Sequence, residues 1–77
     1  MNQVALFTLP NCKWCNEAKA YLKSKKIRFN IVDVSKNKHA LNDCKRHGCK
    51  GAPVVLINET WICGFDKAKI NKELGIK

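Results

Sequence analysis

The chain has 77 residues, with 15 Lys and Arg against 6 Asp and Glu, and a formal net charge of +9. That length allows one domain with one small core, residues 1–77, and leaves no room for a second. No apolar run approaches the roughly 20 residues of a membrane span, and the N-terminus lacks the basic and long apolar regions of a signal peptide, so a cytoplasmic protein without a membrane anchor is expected.

Val4-Ala5-Leu6-Phe7-Thr8 reads as a short buried strand; Pro10 forbids its simple continuation, and Asn11 is a favoured N-cap residue. A helix is expected from about Cys12 to Lys25. Cys15, Ala18 and Leu22, with Tyr21 half a turn aside, fall on one face, and Lys13, Lys19, Lys23 and Lys26 mostly occupy the others. Arg28 to Val34 alternates with β-branched and aromatic residues as a second strand, and Ser35 is placed to cap a helix from about Lys36 to His47. Gly48 stops that helix, and Gly51-Ala52-Pro53 turns into the apolar strand Val54-Val55-Leu56-Ile57. Asn58-Glu59 makes a hairpin connection to a fourth strand, Thr60 to Cys63. Gly64 breaks it, and Asp66 to Leu74 forms a last helix with Ala68, Ile70 and Leu74 as apolar positions.

The β-α-β opening implies parallel first and second strands joined by a right-handed crossover, and the closing hairpin implies an antiparallel third and fourth. An α/β domain satisfies both: a four-stranded mixed sheet in the order of elements β-α-β-α-β-β-α, with three helices on its faces. Its first helix aims Cys12 at the C-terminal end of strand one, the sheet edge where α/β sites usually lie.

Cys12-Lys13-Trp14-Cys15 is the most informative segment. The partial positive charge and free N–H groups of a helix's first turn stabilise a thiolate, which is the nucleophile in thiol chemistry. Cys12 at the exposed tip is the expected nucleophile, titrating below the ~8.5 of a free cysteine, and the inward-facing Cys15 is the expected resolving thiol. Lys13 adds a cation beside the pair, and Trp14 is a candidate apolar rim for a docking partner.

Three further cysteines bring the count to five. Cys44 reads as a small apolar residue of helix two, Cys49 as a buried or oxidisable thiol near the active edge, and Cys63 as the buried end of strand four or a second site of glutathionylation. Cys44, His47 and Cys49 also invite a zinc reading with Cys12 and Cys15, but their spacing is compatible at best, and no bound metal is expected. His39 and His47 have no acid-base partner in sequence and read as surface residues. The lysines concentrated from Lys19 to Arg28 and from Lys45 to Lys50 form a solvated basic surface or steer the protein toward an acidic partner. No nucleic-acid motif accompanies them.

Phe7-Thr8-x-x-x-Cys12-x-x-Cys15, Ala52-Pro53-Val54-Val55 and Trp61-x-x-Gly64-Phe65-Asp66 occur in an order and spacing that together resemble the glutaredoxin family of the thioredoxin fold. The resemblance implies a thiol-disulfide oxidoreductase acting on protein or glutathione mixed disulfides, with Cys12 and Cys15 catalytic. It implies a cis bond between Ala52 and Pro53, which presents the Ala52 backbone to a substrate chain as to an added strand. It also implies Lys13, Trp14, Ala52, Pro53, Gly64, Phe65 and Asp66 as the substrate or glutathione contacts, with no bound cofactor and glutathione as co-substrate. Two departures mark the glutathione region: Cys63 and Lys67 stand where the family's Gly-Gly-x-Asp-Asp stretch has its first glycine and second aspartate. Leu9 stands where a basic residue is common. Gly51-Ala52-Pro53-Val54-Val55 and Trp61 followed by Gly64-Phe65 are also similar to the glutaredoxin-like redoxins that pass electrons from thioredoxin reductase to ribonucleotide reductase. A monomer is expected. The alternative of an iron-sulfur carrier module is disfavoured by an intact Cys15.

Overall fold

The computed structural model describes residues 3–49 and 51–75. Both ends of the 1–77 domain and the Lys50 end of the second basic run lie outside the described residues. Seven elements follow in the expected order: β1 (Val4–Thr8), α1 (Lys13–Ser24), β2 (Asn30–Asp33), α2 (Lys38–Arg46), β3 (Val54–Ile57), β4 (Thr60–Cys63) and α3 (Lys67–Leu74). The strands form one sheet in the order β2-β1-β3-β4, with β1 and β2 parallel and the other two pairings antiparallel. This is the thioredoxin-like fold.

Alternation along the two central strands divides the core in two, because successive side chains in a strand point to opposite faces. Val4 and Leu6 of β1, with Val55 and Ile57 of β3, meet Ala18 and Leu22 of α1 and Ile70 of α3 on one face. Phe7 and Val54 meet Val34, Ala40, Cys44 and Cys49 on the other. Strands covered on both faces need nearly continuous apolar sequence, and VALF and VVLI supply it.

The helix starts differ from the sequence expectation. Asn11 does not cap α1; it takes a positive φ of 59°, which asparagine tolerates better than most residues, and turns the chain so that Cys12 itself becomes the N-cap. Ser35 does not cap the second helix either. The Asp33 carboxylate engages it first, accepting from the Ser35 N–H at 2.9 Å and the Ser35 hydroxyl at 2.6 Å, and Asn37 caps α2 through the Ala40 N–H. The helix accordingly begins at Lys38 rather than Lys36, and β2 is shorter than expected at both ends. Asp66 is the cap of α3, accepting from the Lys69 N–H at 3.2 Å, and not its first residue.

The two Ser35 hydrogen bonds hold the Asp33 carboxyl below its ordinary value, with the nearby Lys36 charge acting in the same direction. A depressed folded-state pKa stabilises the fold above the unfolded value of about 3.9 and loses that effect as pH falls through the folded value. Asp33→Asn should therefore flatten the acid limb of a melting-temperature profile below about pH 4. An unchanged acid limb would show that ionisation of Asp33 carries none of the pH dependence of stability.

Candidate active site

Register brings three segments to one edge of the sheet. Thr8 ends β1 opposite Asp33, Phe7 pairs with Val54 and Val54 with Cys63, so Pro53 and Gly64 follow on the same edge that the β1–α1 turn overhangs. The Gly64 N–H donates to the Pro53 carbonyl at 2.8 Å and fixes the two turns against each other. Gly64 has φ +84°, a conformation that disfavours any side chain. The Ala52-Pro53 bond is cis, as the resemblance implies.

Cys12 is half-buried at the head of α1, and Cys15 is 3% exposed beneath it. Their sulfurs lie within disulfide distance, with Cα atoms 5.2 Å apart. The Cys15 N–H donates to the Cys12 Sγ at 3.1 Å, so the sulfur occupies the place of a capping oxygen at the positive end of the helix. Lys13 and Trp14 are exposed, and Trp14 at 61% carries the largest open apolar surface in the region. Leu9 is exposed on the turn that precedes them.

An open groove of roughly 680 Å³ runs from this tip to the start of α3, lined by Trp14, Glu17, Cys63, Gly64, Phe65, Asp66 and Lys67. Phe65 meets Tyr21 edge-on at 5.7 Å, and the Lys67 ammonium lies 5.5 Å from the Tyr21 ring and 5.6 Å from the Phe65 ring. Tyr21 in turn bonds the Asn71 side chain, which ties α1 to α3. Trp14, Gly64, Phe65 and Asp66 thus share one groove, and Lys67 adds a cation to its wall. A smaller hollow of roughly 490 Å³ at the other end of the sheet, lined by Gln3, Arg28 and Asn58 among others, contains no cysteine.

Of the remaining cysteines, Cys49 and Cys63 depart from expectation. Cys49 and Cys63 are joined in a second disulfide with Cα atoms 5.1 Å apart, and Cys63 is exposed rather than buried. Nothing in the spacing of the cysteines marks Cys49 and Cys63 as partners. Cys44 is the free thiol; it is buried on α2 as expected, and burial with the Asp43 charge beside it pushes its pKa up. Among the described residues no three His, Cys, Asp or Glu side chains gather where they could hold a metal ion. His47 is exposed, as expected, and stacks on Trp61 at 4.3 Å; Trp61 also stacks on Phe7 at 5.4 Å. No described helix is long and apolar enough to cross a membrane.

The glutaredoxin family model matches residues 4–62. The uncharacterized glutaredoxin-like 8.6 kDa protein in the rubredoxin operon of Clostridium pasteurianum is 36% identical over 72 residues, covering 90% of this chain and 93% of that protein. Among solved structures, a point variant of the thioredoxin-like protein BC3987 superposes with a TM-score of 0.88 at 26% identity, each chain covered in full. The glutaredoxin-like NrdH-redoxin of Escherichia coli shares the fold, with a TM-score of 0.84 at 21% identity over 91% of this chain and 92% of that one. With a matched domain that includes the dithiol, the cis-proline turn and most of β4, the chain belongs to the glutaredoxin family, as a thioredoxin-fold redox protein whose Cys12-x-x-Cys15 sulfurs lie within disulfide distance.

Proposed function

We propose that the protein is a dithiol-disulfide oxidoreductase that reduces protein or glutathione mixed disulfides, with Cys12 as nucleophile and Cys15 as resolving thiol. The observation that carries this reading is the Cys12 sulfur at the head of α1, accepting the Cys15 N–H, above a Cys15 that solvent barely reaches. Negative charge on Cys12 is favoured there by the hydrogen bond, the helix terminus and the neighbouring Lys13. In the reduced protein, the Cys12 thiolate attacks one sulfur of the substrate disulfide and expels the other as a thiolate, which takes a proton. Cys15 then gives up its proton and attacks Cys12 Sγ, releasing the first substrate sulfur as a thiol and leaving Cys12 and Cys15 joined. Two electrons move from the dithiol to the substrate, so neither a metal nor an organic cofactor is required.

The cis-proline turn lies on the sheet edge that the dithiol's turn overhangs, which suits Ala52 to backbone pairing with an extended substrate segment. Trp14, Gly64, Phe65 and Asp66 line the groove that leads to the start of α3, where the backbone N–H groups suit a carboxylate such as that of glutathione. Recharging requires a donor of two electrons, either glutathione or thioredoxin reductase, and the setting we propose is cytoplasmic, with the protein acting as a monomer. Leu9, Cys63 and Lys67 depart from the glutathione-binding pattern, which favours thioredoxin reductase as donor and ribonucleotide reductase among the acceptors as a second reading. The likeness to the E. coli NrdH-redoxin fold is consistent with that reading.

The test is NADPH consumption during reduction of a small mixed disulfide, fed in parallel from glutathione with glutathione reductase and from thioredoxin reductase. Turnover from glutathione supports the first reading. Turnover from thioredoxin reductase alone supports the second, and turnover from neither refutes both.

A further inference from the structure

We propose that Cys49 and Cys63 form a second redox couple that exchanges with low-molecular-weight thiols through Cys63, and that its state adjusts the groove beside the first couple. The proposal rests on the oxidoreductase reading only for its second half. Four observations carry it.

The two sulfurs are bonded, yet their surroundings differ: Cys49 is 2% exposed, whereas Cys63 is exposed and lines the groove with Trp14, Phe65 and Asp66. An attacking thiolate can therefore reach one sulfur only. Cys49 is held from below by the end of α2, where its N–H donates to the Cys44 carbonyl at 2.9 Å and the Gly48 N–H to the Lys45 carbonyl at 3.0 Å. This paired closure leaves Gly48 at φ +81° and turns Cys49 into the core beside Cys44. Finally, Cys63 immediately precedes Gly64, whose N–H holds the Pro53 carbonyl. The disulfide thus ties together the approach to the cis-proline turn and the groove wall, the two segments between which a substrate would lie.

The exchange balances as follows. A low-molecular-weight thiolate attacks Cys63 Sγ, the Cys49–Cys63 bond breaks, and its electron pair leaves on Cys49, which takes a proton from solvent. A second thiolate attacks the small thiol's sulfur in the mixed disulfide and releases Cys63 as a thiolate, which is then protonated. The protein disulfide gains two electrons, and two thiols become one small disulfide. An exposed disulfide is the labile kind, whereas a closed one resists the same thiols. The mixed disulfide would form at a residue that lines the groove, with its sulfur beside the His47 carbonyl at the end of α2.

The deciding experiment titrates native protein across reduced and oxidised glutathione ratios, quenches with acid, alkylates and assigns each cysteine by peptide mass. It is run on the wild type and on the Cys12→Ser/Cys15→Ser variant. Cys49 and Cys63 should pass together from bonded to alkylated without denaturant in both proteins, with a glutathione adduct on Cys63 and none on Cys49. Buried Cys44 serves as the internal marker that the fold stayed closed. A pair that opens only in denaturant, or that never forms, overturns the proposal. Titration in the doubly substituted protein together with failed turnover of the wild type would refute the oxidoreductase reading and support the second couple.

For the coupling, KM for a protein disulfide is compared, with thioredoxin reductase as donor and no small thiol present, between the wild type with its Cys49–Cys63 bond intact and Cys49→Ala, with Cys63→Ser as the milder alternative at an exposed position. Untying the wall should raise KM about fivefold, the cost of ordering one or two more groups on binding, with kcat within about twofold. Equal KM values in the tied and untied proteins overturn the coupling.

Discussion

Cys12→Ser should reduce disulfide turnover to the uncatalysed rate, whereas Cys15→Ser, with no small thiol present, should halt after one exchange with the substrate still bonded to Cys12. The asymmetry follows from position. Cys12 presents its sulfur at the head of α1, where the Cys15 N–H and the helix terminus favour the thiolate, while Cys15 sits 3% exposed behind it. A hydroxyl at residue 12 is far less acidic than a thiol and cannot accept the substrate sulfur in an exchangeable bond. A hydroxyl at residue 15 leaves the first attack intact and removes only the second. Mass spectrometry of the Cys15→Ser protein after mixing with a protein disulfide should show one substrate adduct per chain, cleared by an added thiol. Multiple turnovers by Cys12→Ser, or an adduct formed on Cys15 in that variant, would reverse the assignment of roles.

Removing the Cys49–Cys63 bond should lower the stability of the oxidised protein by about 3 kcal/mol, the chain-entropy effect of releasing a closed loop of about 15 residues. In a domain of this size each kcal/mol shifts the melting temperature by roughly 4–8 °C, so Tm should fall by about 12 °C or more. Small domains have 5–15 kcal/mol of stability in total, which makes this a large fraction. Cys12 and Cys15 are only 3 residues apart in sequence and constrain the unfolded chain much less. Urea unfolding of the oxidised wild type against Cys63→Ala checks the value, because Cys63 is exposed and its loss leaves no cavity. Cys49→Ala should cost somewhat more, since a buried sulfur is removed as well. Coincident unfolding midpoints for the wild type and Cys63→Ala would mean that the bond is absent or without thermodynamic effect.

These two expectations concern cysteine pairs that differ in how visible they were in the sequence. The dithiol could be placed because every local signal agreed: a run of five strand-forming residues, a proline, a turn residue, then apolar spacing of a helix with Cys15 on its inner face. Even there the cap was misassigned by one residue. Asn11 is the better intrinsic capping residue, but the turn out of β1 needs a left-handed conformation that asparagine also supplies, and satisfying that need moves the cap to Cys12. At α2 the competition ran between Ser35 and Asn37, and the Asp33 carboxylate decided it by engaging Ser35 first.

Alternation and punctuation, properties of short stretches of chain, were enough to determine the element order, the mixed sheet and the position of Cys12 at its C-terminal edge, and the family resemblance implied the cis bond at Pro53. What only the tertiary structure decided are relations between distant segments: the Cys49–Cys63 bond, the stacking of Trp61 on Phe7 and His47, and the closing of α1 on α3 through Tyr21 and Asn71. Cys63 reaches Cys49 because strand register sets Cys63 opposite Val54 while the end of α2 turns Cys49 inward beneath the same strand. Neither cysteine carries a local sign of the other, since a pairing between separate elements depends on register and helix packing, and those are fixed only when the sheet assembles.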